Sequence, residues 1–225
     1  MGSKKYLMVR TIFLFIVTII LLFSSALYGD TTVTNNSDKV QDAKSLAFTT
    51  IGSASKNLQT ILSDFIQEKH LAMLKDPLIS SGRFGYEKPD TLYWEITKPA
   101  QAGFAVKGFK ARRWSSDPNS SQAFDIEREP LVKAIAEQIF AWARADFSWL
   151  EKRYRIIIAE EAPNELRLVP LSSHEKKYVS YLLVIFSNNL SQLSSVEIHE
   201  KGGDFTRIKF INTLLNQPLP KTFSE

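Results

Sequence analysis

The spacing of apolar and polar positions changes period several times along the 225 residues. A helical pattern sets in near Ala43 and sharpens at Leu58, Ile61, Leu62, Phe65 and Ile66, which form one apolar stripe at i, i+3, i+4, i+7 and i+8. Where that helix ends is open, because Phe65 to Leu71 also alternates well enough to begin a strand. The period then becomes two. Ile79–Tyr86 and Thr91–Thr97 read as strands around the turn Lys88-Pro89-Asp90, where proline fixes φ and withholds a ladder donor. Gly103–Phe109 follows, turning through Lys110-Ala111 into Arg112–Ser115, with a loop at "SSDPNSSQ".

Glu127-Arg128-Glu129-Pro130 opens a second helix, with acids near its N-terminus and proline at the first helical position. Leu131, Ile135, Ile139, Trp142 and Ala143 share one face of the segment 130–150, while Phe140, Phe147 and Trp149 point elsewhere. A helix apolar on several sides is sandwiched rather than laid on a surface. The last third reads as a β meander: Tyr154–Glu160, Glu165–Leu171, Val179–Phe186, Ser194–Glu200 and Phe205–Ile211, with the "KGG" hairpin signal at Lys201–Gly203. Helix, strands, helix, strands with short antiparallel connections make the class α+β.

The first residues belong to a different kind of segment. Lys4, Lys5 and Arg10 precede an apolar run from Ile12 to Phe23, then the small residues Ser24-Ser25-Ala26. This is the order of an export signal. The run is shorter than the ~20 residues that span a bilayer, which favours a cleaved signal over a retained anchor. The expected division is a signal at 1–29, a polar linker at 30–43 and one domain at 44–225, in the periplasm. Removing the signal takes three of the 28 Lys and Arg, leaving 25 against 24 Asp and Glu. So balanced a chain has no global attraction for nucleic acid.

Chemistry is sparse. His70, His174 and His199 lack ligand or triad spacing, "GSAS" at Gly52–Ser55 lacks the strand-to-helix setting of a nucleophile, and Glu160-Glu161 sits at a turn. No enzyme activity, metal or cofactor is expected. "KGFKARRW" at Lys107–Trp114 is a local basic and aromatic cluster, readable as an anion or membrane contact or as a solvated hairpin tip.

The aromatic hairpin carries more. Leu92, Trp94 and Ile96 face one way and Tyr93, Glu95 and Thr97 the other, with Phe84 and Tyr86 on one neighbouring strand and Phe104 and Val106 on the next. With the many-sided helix, this describes a strongly curved sheet with aromatics on its concave side. Phe65-x-Gln67, Gly82-x-Phe84, Lys88-Pro89, Leu92-x-Trp94 and Pro99 resemble the amino-terminal half of the LolA family of periplasmic lipoprotein carriers. The likeness continues through Leu168-Val169-Pro170, Asn188-Asn189, Gly202-Gly203, Thr206, Ile208-Lys209-Phe210, Asn212 and Asn216, so that it covers about Lys44 to Phe223.

The resemblance implies an unclosed antiparallel β-barrel lidded by helices, with an apolar cavity that receives acyl chains. It implies acylated lipoprotein or lipid cargo, an inner-membrane releasing transporter and an outer-membrane acceptor, with the carrier a monomer. The family's Arg/Lys-Pro basic residue, Lys88 here, helps control the lid by hydrogen bonding; lysine lacks arginine's planar fork of donors. Leu92 stands where the family has an aromatic, and Lys107-Gly108 where it has Asp-Gly. The family's acceptor is anchored through a cysteine, and this chain has none, which places it on the carrier side. The expected lipid-binding residues are Phe84, Lys88, Leu92, Trp94, Phe104, Trp114, Ile139 and Trp142, with the helix 130–150 as lid.

Overall fold

The computed structural model describes residues 37–117, 120–159 and 161–223; the expected export signal, the linker up to residue 36 and Glu160 lie outside them. Helix α1, Ser37–Lys56, comes first and begins inside the segment read as linker. Six strands follow: β1 Thr60–His70, β2 Leu78–Glu87, β3 Thr91–Lys98, β4 Ala102–Lys107, β5 Lys110–Ser115 and β6 Gln122–Asp125. Helices α2, Pro130–Arg144, and α3, Phe147–Glu151, lead into β7 Tyr154–Ala159, β8 Ala162–Pro170, β9 Val179–Phe186, β10 Leu193–Glu200 and β11 Phe205–Leu215.

The eleven strands form one antiparallel sheet in the order β6-β5-β4-β3-β2-β1-β11-β10-β9-β8-β7. Two meanders are thus joined where β1 pairs with β11 (Phe65 opposite Phe210, Gln67 opposite Ile208). The free edges are β6 and β7, and α2 and α3 are the connection between them. The sheet does not close on itself; a helix crosses between its edges. None of the described helices is long and apolar enough to cross a membrane.

The helix expected over Leu58–Ile66 is strand β1 instead. Ile61, Ser63 and Phe65 are buried on one face, while Leu62, Asp64 and Ile66 are half-buried on the other. The physical reason is position. β1 is the central strand, paired along nearly its whole length with both β2 and β11, and these backbone hydrogen bonds to partners distant in sequence override the local helical spacing. The turn after β4 also moves, to Gly108-Phe109, where Gly108 takes φ 58°, and β6 forms in what reads as loop. The expected helix 130–150 breaks at Ala145, which adopts φ 51°; Asp146 then caps α3 by accepting from the Trp149 amide.

Two apolar clusters make up the core. The first joins Leu58, Ile61, Phe65, Phe84, Tyr86, Leu92, Trp94, Ile96, Phe104 and Val106 to Val132, Ile135, Ala136, Phe140 and Ala143 of α2. The second joins Ala47 and Ile51 of α1 to Ala141 and Trp142 of α2 and to the inner faces of β7 to β10. Ile139 and Phe210 pack against both. So α2 is indeed sandwiched, with one flank on each half of the sheet.

Backbone approach fixes the aromatic centre. The Phe65 ring stacks on Trp94 at 4.4 Å between centroids and leans over Gly82, where a Cβ would meet the Phe65 ring at 2.5 Å and collide with the Glu95 carbonyl. Polar ties hold α2 towards β7. The Tyr154 hydroxyl donates to Gln138 Oε1 at 2.6 Å, and Arg153 lies 3.7 Å from Glu137. Glu175, buried in the β8–β9 connection, interacts electrostatically with Tyr154 and Arg153. Burial pushes its carboxyl up to about 7, against the opposing pull of Arg153.

Gly82→Ala should cost about 1–3 kcal/mol or more in urea unfolding, since neither the Glu95 carbonyl nor the packed Phe65 can retreat. Glu175 binds its proton more tightly folded than unfolded, so its contribution weakens stability as pH rises from the unfolded carboxylate range through about 7. Glu175→Gln should therefore raise Tm relative to wild type more at pH 8 than at pH 5, read by thermal melts at the two values.

Candidate functional site

The seam between the two half-cores leaves a cavity. It is lined by Ile61 and Ser63 of β1, Phe84 of β2, Trp94 of β3, Ile139, Trp142 and Ala143 of α2, Leu193 and Val196 of β10, and Ile208, Phe210 and Thr213 of β11. Its volume is about 20 Å³, and it is partly open to solvent. That is room for about one water. The lining side chains are apolar except the hydroxyls of Ser63 and Thr213, which bond one another at 2.8 Å, and the indole N–H groups of Trp94 and Trp142. Ser63 also donates to the Ile211 carbonyl at 2.9 Å. With the two hydroxyls paired inside the wall, the rest of the lining is hydrocarbon and aromatic, and no histidine, carboxylate or lysine is among the lining residues.

The aromatic packing explains why so little space remains. Trp94 sits against Phe65, has Phe84 edge-on at 5.9 Å and Phe210 perpendicular at 6.4 Å. Phe84 and Phe210 tilt against each other at 5.4 Å. Offset, tilted and edge-on packing of this kind is what aromatic rings prefer.

Of the eight expected residues, Phe84, Trp94, Ile139 and Trp142 line the cavity. Leu92 and Phe104 face the same concave side but lie in the first core cluster, away from the cavity. Trp114 is on the opposite face of the sheet. It pairs across from Gly103, as Glu95 does, and its ring is 5.3 Å from Tyr93, with Arg112 over it at 4.7 Å. The reason is parity. In β4, Phe104 and Val106 face the concave side, so Arg113 and Ala111 opposite them do too, while Trp114, opposite Gly103, takes the convex face. The C-terminal turn covers this convex side: Phe223 stacks on Tyr93 at 3.8 Å and lies over Gly85. Arg83 and Gln101 bond the Glu95 carboxylate there; burial alone would raise its pKa, but these hydrogen bonds hold it below the ordinary value.

The basic and aromatic cluster is partly absorbed by the fold. Arg113 donates to Gln122 Oε1 at 2.6 and 3.0 Å and lies over Phe124, while Phe109 at the tip is exposed. His70 and His199 stack on either side of Phe205 on the convex face, far from the cavity.

Lys88 is not a lining residue. Its Nζ donates to the carbonyls of Ser55 and Lys56, at 3.2 and 3.1 Å, at the end of α1. A cation at a helix C-terminus satisfies carbonyls that have no partner within the helix and complements the dipole. One ammonium reaches both acceptors without a guanidinium fork. Its amide also donates to the Gln59 carbonyl at 2.9 Å, fixing the turn to the α1–β1 connection. From there α1 reaches the helical layer: Phe48 stacks on Phe147 of α3 at 3.9 Å.

The residues that sequence reading did not assign to the site are Ile61, Ser63, Ala143, Leu193, Val196, Ile208, Phe210 and Thr213. Ile208 and Phe210 alternate visibly, but their place at the opening follows from the β1–β11 pairing. Asn212 and Asn216, read only as part of a resemblance, adopt φ 54° and 56°. Asn212 donates to Asp64 opposite the β1 irregularity, and Asn216 Oδ1 accepts from the Gln59 amide. Left-handed backbone at a bulge and a strand end favours asparagine.

Among solved structures, the chain resembles a LolA superfamily protein from Nitrosomonas europaea at 10% identity and TM-score 0.41, covering 80% of this chain and 96% of that one. It resembles a putative outer membrane lipoprotein-sorting protein domain from Vibrio parahaemolyticus at 8% identity and TM-score 0.40, with 83% and 96% covered. It also resembles the lipoprotein LppX of Mycobacterium tuberculosis at 11% identity and TM-score 0.42, with 80% and 98% covered. A search of curated protein sequences found no match. The model of the family described as outer membrane lipoprotein carrier protein LolA matches residues 56–224, from the end of α1 through the C-terminal turn. The chain belongs to the LolA outer membrane lipoprotein carrier protein family.

Proposed function

We propose that this protein is a periplasmic carrier that shelters the acyl chains of lipoproteins or other lipids between α2 and the concave sheet and moves them towards the outer membrane. The observation that carries this reading is the apolar cavity at the seam of the two half-cores, under a helix that touches both. Binding and release are the whole task, and no bond is made or broken. Cargo would come from a releasing transporter in the inner membrane and pass to an acceptor at the outer membrane.

The closed cavity is too small for an acyl chain, so loading requires α2 to lift. Each methylene withdrawn from water is worth about 0.8 kcal/mol, so a chain of ten or more offsets the lost contacts of one helix flank. The polar ties of α2 run to β7, through Tyr154 and Arg153. Towards β1–β6 it packs through Val132, Ile135, Ala136, Phe140 and Ala143. Opening would therefore proceed from the β1–β6 side, with the β7 side as hinge. Lys88 restrains the movement by holding the end of α1, whose Phe48 stacks on α3.

Delipidated protein should retain a fluorescent fatty acid, and Ile139→Glu, at a half-buried site in the cavity wall, should weaken retention by at least about tenfold. Unchanged retention in that variant would remove the cavity from consideration. Lys88→Met should speed exchange of the bound fatty acid several-fold in stopped-flow displacement, since the α1 carbonyls lose their donor. Added protein should also accelerate movement of an acylated lipoprotein from inner-membrane-like to acceptor-bearing vesicles. Retention without such acceleration would describe an envelope lipid-binding module and rule out the carrier.

A further inference from the structure

The chain has four tryptophans, and two of them, Trp94 and Trp142, line the cavity. Both are nine-tenths or more buried, with 4% and 8% of their surface exposed. Both indole Nε1 donors are fully covered and without an acceptor. A buried indole N–H ordinarily finds a partner, and each that does not carries an unmet desolvation cost. The neighbours of Trp94 are the rings of Phe65, Phe84 and Phe210, none of which supplies an acceptor. Trp142 reaches the same space from α2, independently of the sheet. The remaining buried unpaired groups, on Tyr86, Gln138, Glu175 and Thr206, lie away from the cavity.

A pure hydrocarbon guest would leave both donors as they are. A guest with an acceptor would satisfy them as α2 lifts and the rings re-tilt. We infer that the cavity recognises the carbonyl that joins an acyl chain to its headgroup, through the indole N–H groups of Trp94 and Trp142. This rests on the reading of the cavity as an acyl site, and it narrows the ligand to ester- or amide-linked acyl chains. One carbonyl oxygen has two lone pairs and can accept from both indoles.

The test compares two lysophospholipids with the same headgroup and sixteen-carbon chain, one joined by an ester and one by an ether, titrated into delipidated protein. Wild type should prefer the ester by about two- to tenfold for each donor satisfied. In the double variant Trp94→Phe, Trp142→Phe the ratio should fall to near one, whatever happens to overall affinity. Because the double substitution also removes buried packing, a second reading uses wild type labelled with ¹⁵N-tryptophan. Two of its four indole N–H resonances should move downfield with the ester and stay in place with the ether. Equal binding of ester and ether by wild type, or an ester preference that survives the double substitution, overturns the inference and leaves the acyl cavity standing. Binding of neither lipid overturns the acyl cavity itself.

Discussion

A sheet with one long apolar face must cover it, and here a single helix covers most of it. Helix α2 connects the sheet's two free edges and so lies across the concave side, one flank against each meander. The rest of the site follows from this. Eleven strands joined at one central pair, β1 with β11, bend two half-cores towards each other. A helix wide enough to touch both leaves the space between them incompletely filled. The cavity is the residue of that mismatch, and Ile139 and Phe210, which touch both half-cores, form its walls.

The two faces of the sheet are built differently. On the convex face, Phe223 stacks on Tyr93, Arg83 and Gln101 hold Glu95, and His70, Phe205, His199 and Tyr181 form a stacked row. These contacts interlock across neighbouring strands and fix their positions. On the concave face the contacts at the seam are mostly ring against ring and ring against aliphatic chain.

Few directional bonds tie the helical layer to the sheet. Tyr154 and Gln138 tie α2 near β7, and Lys88 ties the end of α1 to the proline turn. These two ties lie on opposite sides of the apolar seam. A partner that competed for the Ser55 and Lys56 carbonyls, or drew Lys88 away, would act on the helical layer without touching the cavity. Membership of the carrier family and the geometry of the lid are in this way consistent with each other, although neither required the other.

The sequence alone determined the composition of the layers. Two-residue alternation in β2, β3, β9 and β10, the proline and glycine turns and the many-sided helix after Pro130 are local signals, and each survived folding. Phe84, Trp94, Ile139 and Trp142 could be named in advance because inward aromatic and aliphatic positions announce themselves by period. Tertiary structure decided the rest. β1 became a strand because both its edges are hydrogen-bonded to partners distant in sequence, a condition that no local window contains. Trp114 went to the convex face because it pairs with Gly103 of β4, whose neighbours Phe104 and Val106 take the concave side. The far wall of the cavity, Leu193, Val196, Ile208, Phe210 and Thr213, is set by the pairing of β1 with β11, and that pairing is a property of the whole sheet.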